Sequence, residues 1–292
     1  YEITHRDWSS DGALPISRAT LFMHQGKTER ALELLDSALQ RAEDQEEILQ
    51  QIIDAHLAQG AYEHAAEAIL KLCELDERLD DGTIYQLALC FDFMHQYDRA
   101  IETFDRFIER EPYNALLWYQ KAAFALRLNQ EDKALEYFDW ATTADDGFHA
   151  AHFEIGRIHE RNDRLIDAMN AYRLSISEEV PSGYIYFRIG MIEQELGSLN
   201  AALRAFDRAV EVEPELEDVY LERANVLSEL DRHEEAISDY KKVWLFGNYG
   251  AEDVIDYVEA LVELDLLDEA IKVLYQGVGQ FEDNVQLRLI LA

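Results

Sequence analysis

Along the 292-residue chain, apolar residues return at i, i+3, i+4 and i+7 in successive blocks. Short polar breaks separate the blocks: QGKTE, QGAYE, MHQYD, LNQED, RNDRL, LGSLN, ELDRH and ELDLL. These breaks supply turn formers and helix N-cap candidates. The pattern predicts amphipathic helices joined in pairs. It also repeats. Residues 97–113, YDRAIETFDRFIEREPY, and 199–215, LNAALRAFDRAVEVEPE, are near copies 102 positions apart, which is three periods of 34. An alanine recurs at that period, at Ala31, Ala65, Ala100, Ala134, Ala168, Ala202, Ala236 and Ala270. Four residues after each stands a large side chain: Leu35, Ile69, Phe104, Phe138, Tyr172, Phe206, Tyr240 and Leu274. Twelve residues before each stands a mostly small one: Ala19, Ile53, Ala88, Ala122, Gly156, Gly190, Ala224 and Val258. Small residues let paired helices approach closely, and the large residue fills the space beside them. Pro112, Pro181 and Pro214 fall between repeats, where a helix must stop.

This pattern resembles the tetratricopeptide repeat. The sixth repeat carries it most fully, with Tyr186, Ile189, Gly190, Ala202, Phe206, Ala209 and Pro214. The fourth has Trp118, Ala122, Ala134, Phe138 and Ala141, but Lys121 where the family prefers Leu. The second is weakest, with Ile53 and Leu72 at positions that are usually small. The resemblance implies an all-α, right-handed superhelical solenoid of about eight helix–turn–helix repeats. The expected repeats are 12–45, 46–80, 81–114, 115–148, 149–182, 183–216, 217–250 and 251–284, so the array spans 12–284. Residues 1–11 are expected to form an N-terminal arm or linker, the arm packing Trp8 on the first helix. Residues 285–292, VQLRLILA, read as the first part of a ninth or capping helix. Because a terminal helix normally turns a polar face outward, this apolar segment implies either further chain or a covering surface.

In the family, the first helix of each repeat lines a concave wall. By analogy, the inward positions here bring Tyr85, Phe93, Tyr119, Phe153, Tyr184 and Phe187 together with Arg127, Arg157, Arg161 and Arg188. The expected function is a protein-interaction scaffold that binds an extended or helical peptide over the third to sixth repeats. The aromatic residues would give apolar contact, and the arginines would pair with carboxylates or carbonyl oxygens. Two alternatives stand beside it. The aromatic stripe could pack only between neighbouring helices, with the arginines paired internally to Glu154 or Glu160. Or the chain could self-associate into homo-oligomers through its outer face or its C-terminal end. No three successive repeats carry the Lys, Asn and Arg set with which one branch of the family clamps a terminal carboxylate, so that specificity is not transferred.

Composition narrows the partners. Sixty acidic against 26 basic side chains give a formal charge of −34. Such a field repels nucleic acid and anionic membrane. Residues 115–209, with 15 acids and 10 bases, are far less acidic than 1–114 (24 and 10) or 210–292 (21 and 6). The middle is therefore the least repulsive surface for an acidic or carboxylate-bearing segment. Nineteen Arg against seven Lys also fits a protein from a salt-loaded cytoplasm, where the charge would serve solubility rather than a partner. No run approaches the length of a membrane span. Cys73 and Cys90 sit in apolar patterns and read as buried free thiols, which favours a reducing, cytoplasmic setting. The start at Tyr1 rather than Met leaves room for an upstream segment, including a cleaved signal.

No enzyme, cofactor or metal is expected. HExxH, paired CxxC, Walker, GxSxG and GxGxxG motifs do not occur. His149, His152 and His159 have helical spacing suited to a metal, but by family analogy His152 and His159 pack between helices. The stretch DDGTI at 80–84 lacks the alternating aspartates and closing Glu of a calcium loop.

Overall fold

A computed structural model describes residues 13–42, 45–75, 79–177, 179 and 181–291. The anticipated arm at 1–11, with Trp8, lies outside them. Seventeen helices and no strand occur among the described residues. The chain divides into two compact units, the first ending at Asp146 and the second beginning at Gly147.

The first unit holds four helix pairs: α1 (Ala13–His24) with α2 (Thr28–Leu39), α3 (Glu46–Ala58) with α4 (Tyr62–Leu75), α5 (Asp81–Met94) with α6 (Tyr97–Arg110), and α7 (Ala115–Arg127) with α8 (Glu131–Ala144). The second holds α9 (His149–Arg161) with α10 (Leu165–Leu174), α11 (Gly183–Glu195) with α12 (Leu199–Val212), α13 (Glu217–Glu229) with α14 (His233–Phe246), and α15 (Ala251–Glu263) with α16 (Leu267–Gln280). A short α17 (Val285–Leu291) follows. Within each unit, the second helix of one pair packs on the first helix of the next, as α4 does on α5 and α12 on α13.

The recurring residues explain this stacking. The periodic alanines are all buried, seven of them completely. The large residues four positions later are buried too, from Leu35 to Leu274. Gly156 faces the Tyr172 ring so closely that a Cβ there would lie 2.7 Å from it, and Gly190 faces Phe206 in the same way. The volumes of the two partners are therefore matched. Gly or Ala stands where the partner is aromatic, and Ile53 or Val258 stands where it is Ile69 or Leu274. Each buried Phe or Leu contributes roughly 1.5–3 kcal/mol relative to exposure.

The turn within every pair is built alike. Gly26, Gly60, His95, Asn129, Asp163, Gly197, Asp231 and Asp265 each lie five residues before the periodic alanine, and all have positive φ between 55° and 73°. The following amide bonds back to a carbonyl five residues earlier, as Lys27 N–H does to Phe22 O at 2.9 Å and Leu266 N–H to Leu261 O at 2.9 Å. This is the Schellman arrangement, which meets the free carbonyls at a helix end. Gly, Asn, Asp and His are the residue types that tolerate left-handed backbone best.

Candidate functional site

In the first unit, Asp80 caps α5: its carboxylate accepts the Thr83 N–H at 3.0 Å. This is what the DDGTI stretch does. From that start, α5 buries Ile84, Leu87, Ala88 and Phe91 and leaves Tyr85, Leu89 and Phe93 on the opposite stripe. These three are 53%, 46% and 56% exposed, one helical turn apart. Tyr62 of α4 extends the row, stacked parallel on Phe93 with centroids 4.4 Å apart. A groove of about 230 Å³ runs beside the row, with Ala88 and Ala123 among its lining residues and Gln120, Phe124 and Arg127 of α7 along its far side. Arg127 grips Asp92 with two nitrogens, Nε to Oδ1 at 3.1 Å and Nη2 to Oδ2 at 3.2 Å. Tyr119 is half-buried, its ring 5.5 Å from Phe138. Of the expected residues here, Tyr85 and Arg127 line one groove and Phe93 continues its apolar edge. Leu89 and Tyr62 were not anticipated. Leu89 had a signal, since it lies four residues from both Tyr85 and Phe93. Tyr62 had none, because it comes from a second helix.

In the second unit, Phe153 is half-buried between the Tyr172 ring at 5.8 Å and the Tyr184 ring at 6.3 Å. Tyr184 is exposed, and Phe187 is core, packed on Phe206 at 6.0 Å. Arg157 lies 5.9 Å over the Phe153 ring and donates to both Glu154 oxygens at 3.1 Å. Arg188 pairs with Glu160, which also accepts the Tyr172 hydroxyl at 2.6 Å. Burial, together with the Glu160 carboxylate, pushes the Tyr172 phenol well up from its usual range. Burial opposes the charge on Arg188, but its hydrogen bond and attraction to Glu160 outweigh that, so its pKa is raised. Arg161 is exposed. Expected arginines thus hold carboxylates of their own chain, Arg127 with Asp92, Arg157 with Glu154, and Arg188 with Glu160. The last two pairings are the internal ones anticipated as an alternative.

His149 Nδ1 lies 3.1 Å from the Leu174 carbonyl oxygen. Among the described residues, no group of three or more His, Cys, Asp or Glu is placed to hold a metal ion. Cys73 and Cys90 are buried free thiols, and burial pushes Cys90 up to about 11. No described helix is long and apolar enough to cross a membrane.

Three tetratricopeptide-repeat models match the chain: one over residues 16–79, 125–183 and 187–247, a second over 83–112 and a third over 103–136. No curated protein matches it at a significant level. Several solved structures share its fold. The C-terminal part of a TPR repeat-containing protein from Cytophaga hutchinsonii is 15% identical, with a TM-score of 0.61, over 82% of this chain and 98% of that one. YrrB, a TPR protein with an unusual peptide-binding site, is 18% identical, with a TM-score of 0.57, over 65% and 97%. Pseudomonas aeruginosa PilF is 14% identical, with a TM-score of 0.55, over 72% and 95%.

Proposed function

Because the chain belongs to the tetratricopeptide repeat family, we propose that it is a protein-interaction scaffold whose first helices present a peptide-binding face. The exposed row Tyr85–Leu89–Phe93 beside the Arg127–Asp92 pair carries this reading. Three large apolar side chains at successive turns offer anchors for a helix or an extended segment. Aromatic and Arg side chains are also the types enriched in interface cores. The paired Arg127 bears on partner chemistry. A carboxylate-bearing partner would have to take the guanidinium from Asp92, whereas an apolar segment would need no such exchange. In the second unit, Phe153 and Tyr184 with Arg157, Arg161 and Arg188 form the corresponding patch, with Phe187 supporting it from below. YrrB, described as peptide-binding, supports the class of function and does not identify the partner.

The test is proximity cross-linking of partners to the full chain, comparing wild type with a Leu89→Ala/Phe93→Ala variant. Both side chains are exposed, so the variant should melt within a few degrees of wild type. Loss of cross-linked partners is the expected result. An unchanged set would remove α5 from the binding face.

Self-association is the second reading, favoured by a different row. Leu267, Ile271 and Tyr275 are 51%, 49% and 63% exposed at successive turns of α16. Light scattering on wild type and on Ile271→Glu decides it. Only an oligomer that the substitution dissolves supports this reading.

A further inference from the structure

Among the described residues, buried polar and charged side chains find partners within the chain: Lys121 meets Asp105, Glu193 meets Arg173, and Asp239 meets Arg223. Gln120 of α7 departs from this. It is only 8% exposed, and its side-chain amide makes no hydrogen bond among the described residues. The amide is not sealed in the core. It lines the groove between α5 and α7, with Ala123 and Phe124 on its own helix and Tyr85 and Leu89 on the other. In an open groove water serves such a group. An occupant that displaces the water must bond the amide itself, or leave a buried donor and acceptor unmet.

Charge narrows the occupant. The charged residues lining the groove are Asp92 and Arg127, and they hold each other. The groove is thus neutral in a chain of formal charge −34. A charged segment would find its counter-ion already taken, so the complement of this surface is an uncharged stretch. Backbone shape narrows it further. A helix spends its N–H and C=O groups on its own i to i−4 bonds and lays only side chains on a groove. An extended residue turns its N–H and C=O to the same side, as in a ladder pair that exchanges both with one neighbour. A primary amide has donors and an acceptor, so it can take both. Side chains on one face of an extended segment repeat about every 6.7 Å, and Tyr85, Leu89 and Phe93 repeat about every 6 Å along α5. The segment and the row therefore stay nearly in step over three side chains.

We infer that the α5–α7 groove takes an uncharged, extended segment of a partner protein, and that Gln120 selects it by hydrogen-bonding the backbone of one of its residues. Gln120 Nε2 donates to that residue's carbonyl oxygen, and Gln120 Oε1 accepts its N–H. Apolar side chains at alternate positions of the segment rest on Tyr85, Leu89 and Phe93. The inference depends on the peptide-binding reading of α5 and decides between the helix and the extended segment that this reading leaves open. A helix laid on the same row would cover the Gln120 amide with side chains and satisfy neither of its groups.

The test selects binders to the full chain from a displayed library of short random peptides. The strongest are then synthesised, and their affinities are measured by fluorescence polarisation. The comparisons are Leu89→Ala/Phe93→Ala, Gln120→Met, and each peptide N-methylated at successive residues, which removes one backbone N–H at a time. Methionine is unbranched like glutamine and brings no strong hydrogen-bonding group, so Gln120→Met should melt no lower than wild type. The N-methylated peptides are read on wild type and need no variant to fold. The expected binders carry an uncharged stretch with apolar residues at alternate positions, and Leu89→Ala/Phe93→Ala abolishes their binding. Gln120→Met and N-methylation at one residue should each weaken them about three- to tenfold. The two losses should not add, because both break the same contact. Three results overturn the inference and leave the α5 reading standing: binders that need Leu89 and Phe93 but ignore Gln120→Met, that tolerate N-methylation at every residue, or whose apolar residues repeat at helical spacing. Binders indifferent to Leu89→Ala/Phe93→Ala, or a library that yields none, overturn both.

Discussion

Lys121 Nζ lies 2.5 Å from Asp105 Oδ1, joining α7 to α6 at the position where the family prefers a leucine. The ammonium also sits 3.9 Å from the Tyr137 ring centroid and 5.2 Å from that of Trp118. The lysine side chain is 8% exposed and the aspartate 49%. The buried charge is thus held by one carboxylate at the rim and two aromatic faces. Removing the partner leaves a charge with no anion. Asp105→Ala should destabilise the first unit by about 1–3 kcal/mol, less than a fully buried pair because Asp105 is half in water. Lys121→Leu should be near neutral. Denaturant melts of both variants check this. A cost for Lys121→Leu equal to that of Asp105→Ala would mean that the pair itself, rather than the orphaned ammonium, holds the helices.

Gly156 and Gly190 let α9 and α11 rest on the rings of Tyr172 and Phe206. Gly190→Ala should lower stability by about 1–3 kcal/mol by overpacking, even though alanine is the better helix former. Pairing it with Phe206→Leu should recover part of the loss. Thermal melts of the single and double variants measure the coupling, and strictly additive effects would exclude a direct contact.

Asp163 and Asp265 both hold φ of 57° at the turn inside their helix pairs. Replacing either by glycine should raise stability by up to about 1 kcal/mol, because the left-handed region carries no steric penalty there. Replacing either by valine should lower it by about 1–2 kcal/mol. Chemical denaturation of the four variants tests the sign at each site.

Burial, followed by the charges of neighbouring carboxylates, raises the Asp256 and Glu222 carboxyls and so sets a pH dependence. A folded-state pKa above the unfolded value means that the folded chain binds more protons, so stability falls as pH rises through that interval. The second unit should therefore gain stability as pH drops from neutral towards the ordinary carboxylate range. Asp256→Asn should be more stable than wild type at neutral pH and should show a smaller gain. Glu63 acts in the opposite sense. Its hydrogen bond from Arg99 outweighs burial and lowers its pKa, so its contribution is lost only below the ordinary range. Melting temperature against pH for wild type and Asp256→Asn separates the two behaviours.

Much of the fold was legible in the chain. The periodic alanine, the large residue four later and the small residue twelve earlier repeat in register, and together they require paired helices with matched volumes. The left-handed turn residues lie at one offset in all eight pairs, although they are four different residue types. The offset reveals the turn more clearly than the residue type does. The candidate faces were legible in part. Helical spacing brought Tyr85 and Phe93 to one stripe, and it would have brought Leu89 had the whole stripe been read. It also put Phe187 on the inward list, although the packing of α11 against α12 buries that ring.

The chain by itself determined the helix pairs, their order and the small-to-large matching inside them, because those properties follow from local periodicity and side-chain volume. Only the tertiary structure decided which charges are satisfied. Arg127 and Asp92 are 35 positions apart, and Arg188 and Glu160 are 28 apart. With 60 acidic residues available, no spacing rule selects those partners. The choice depends on the distance and tilt between neighbouring helices, which packing sets.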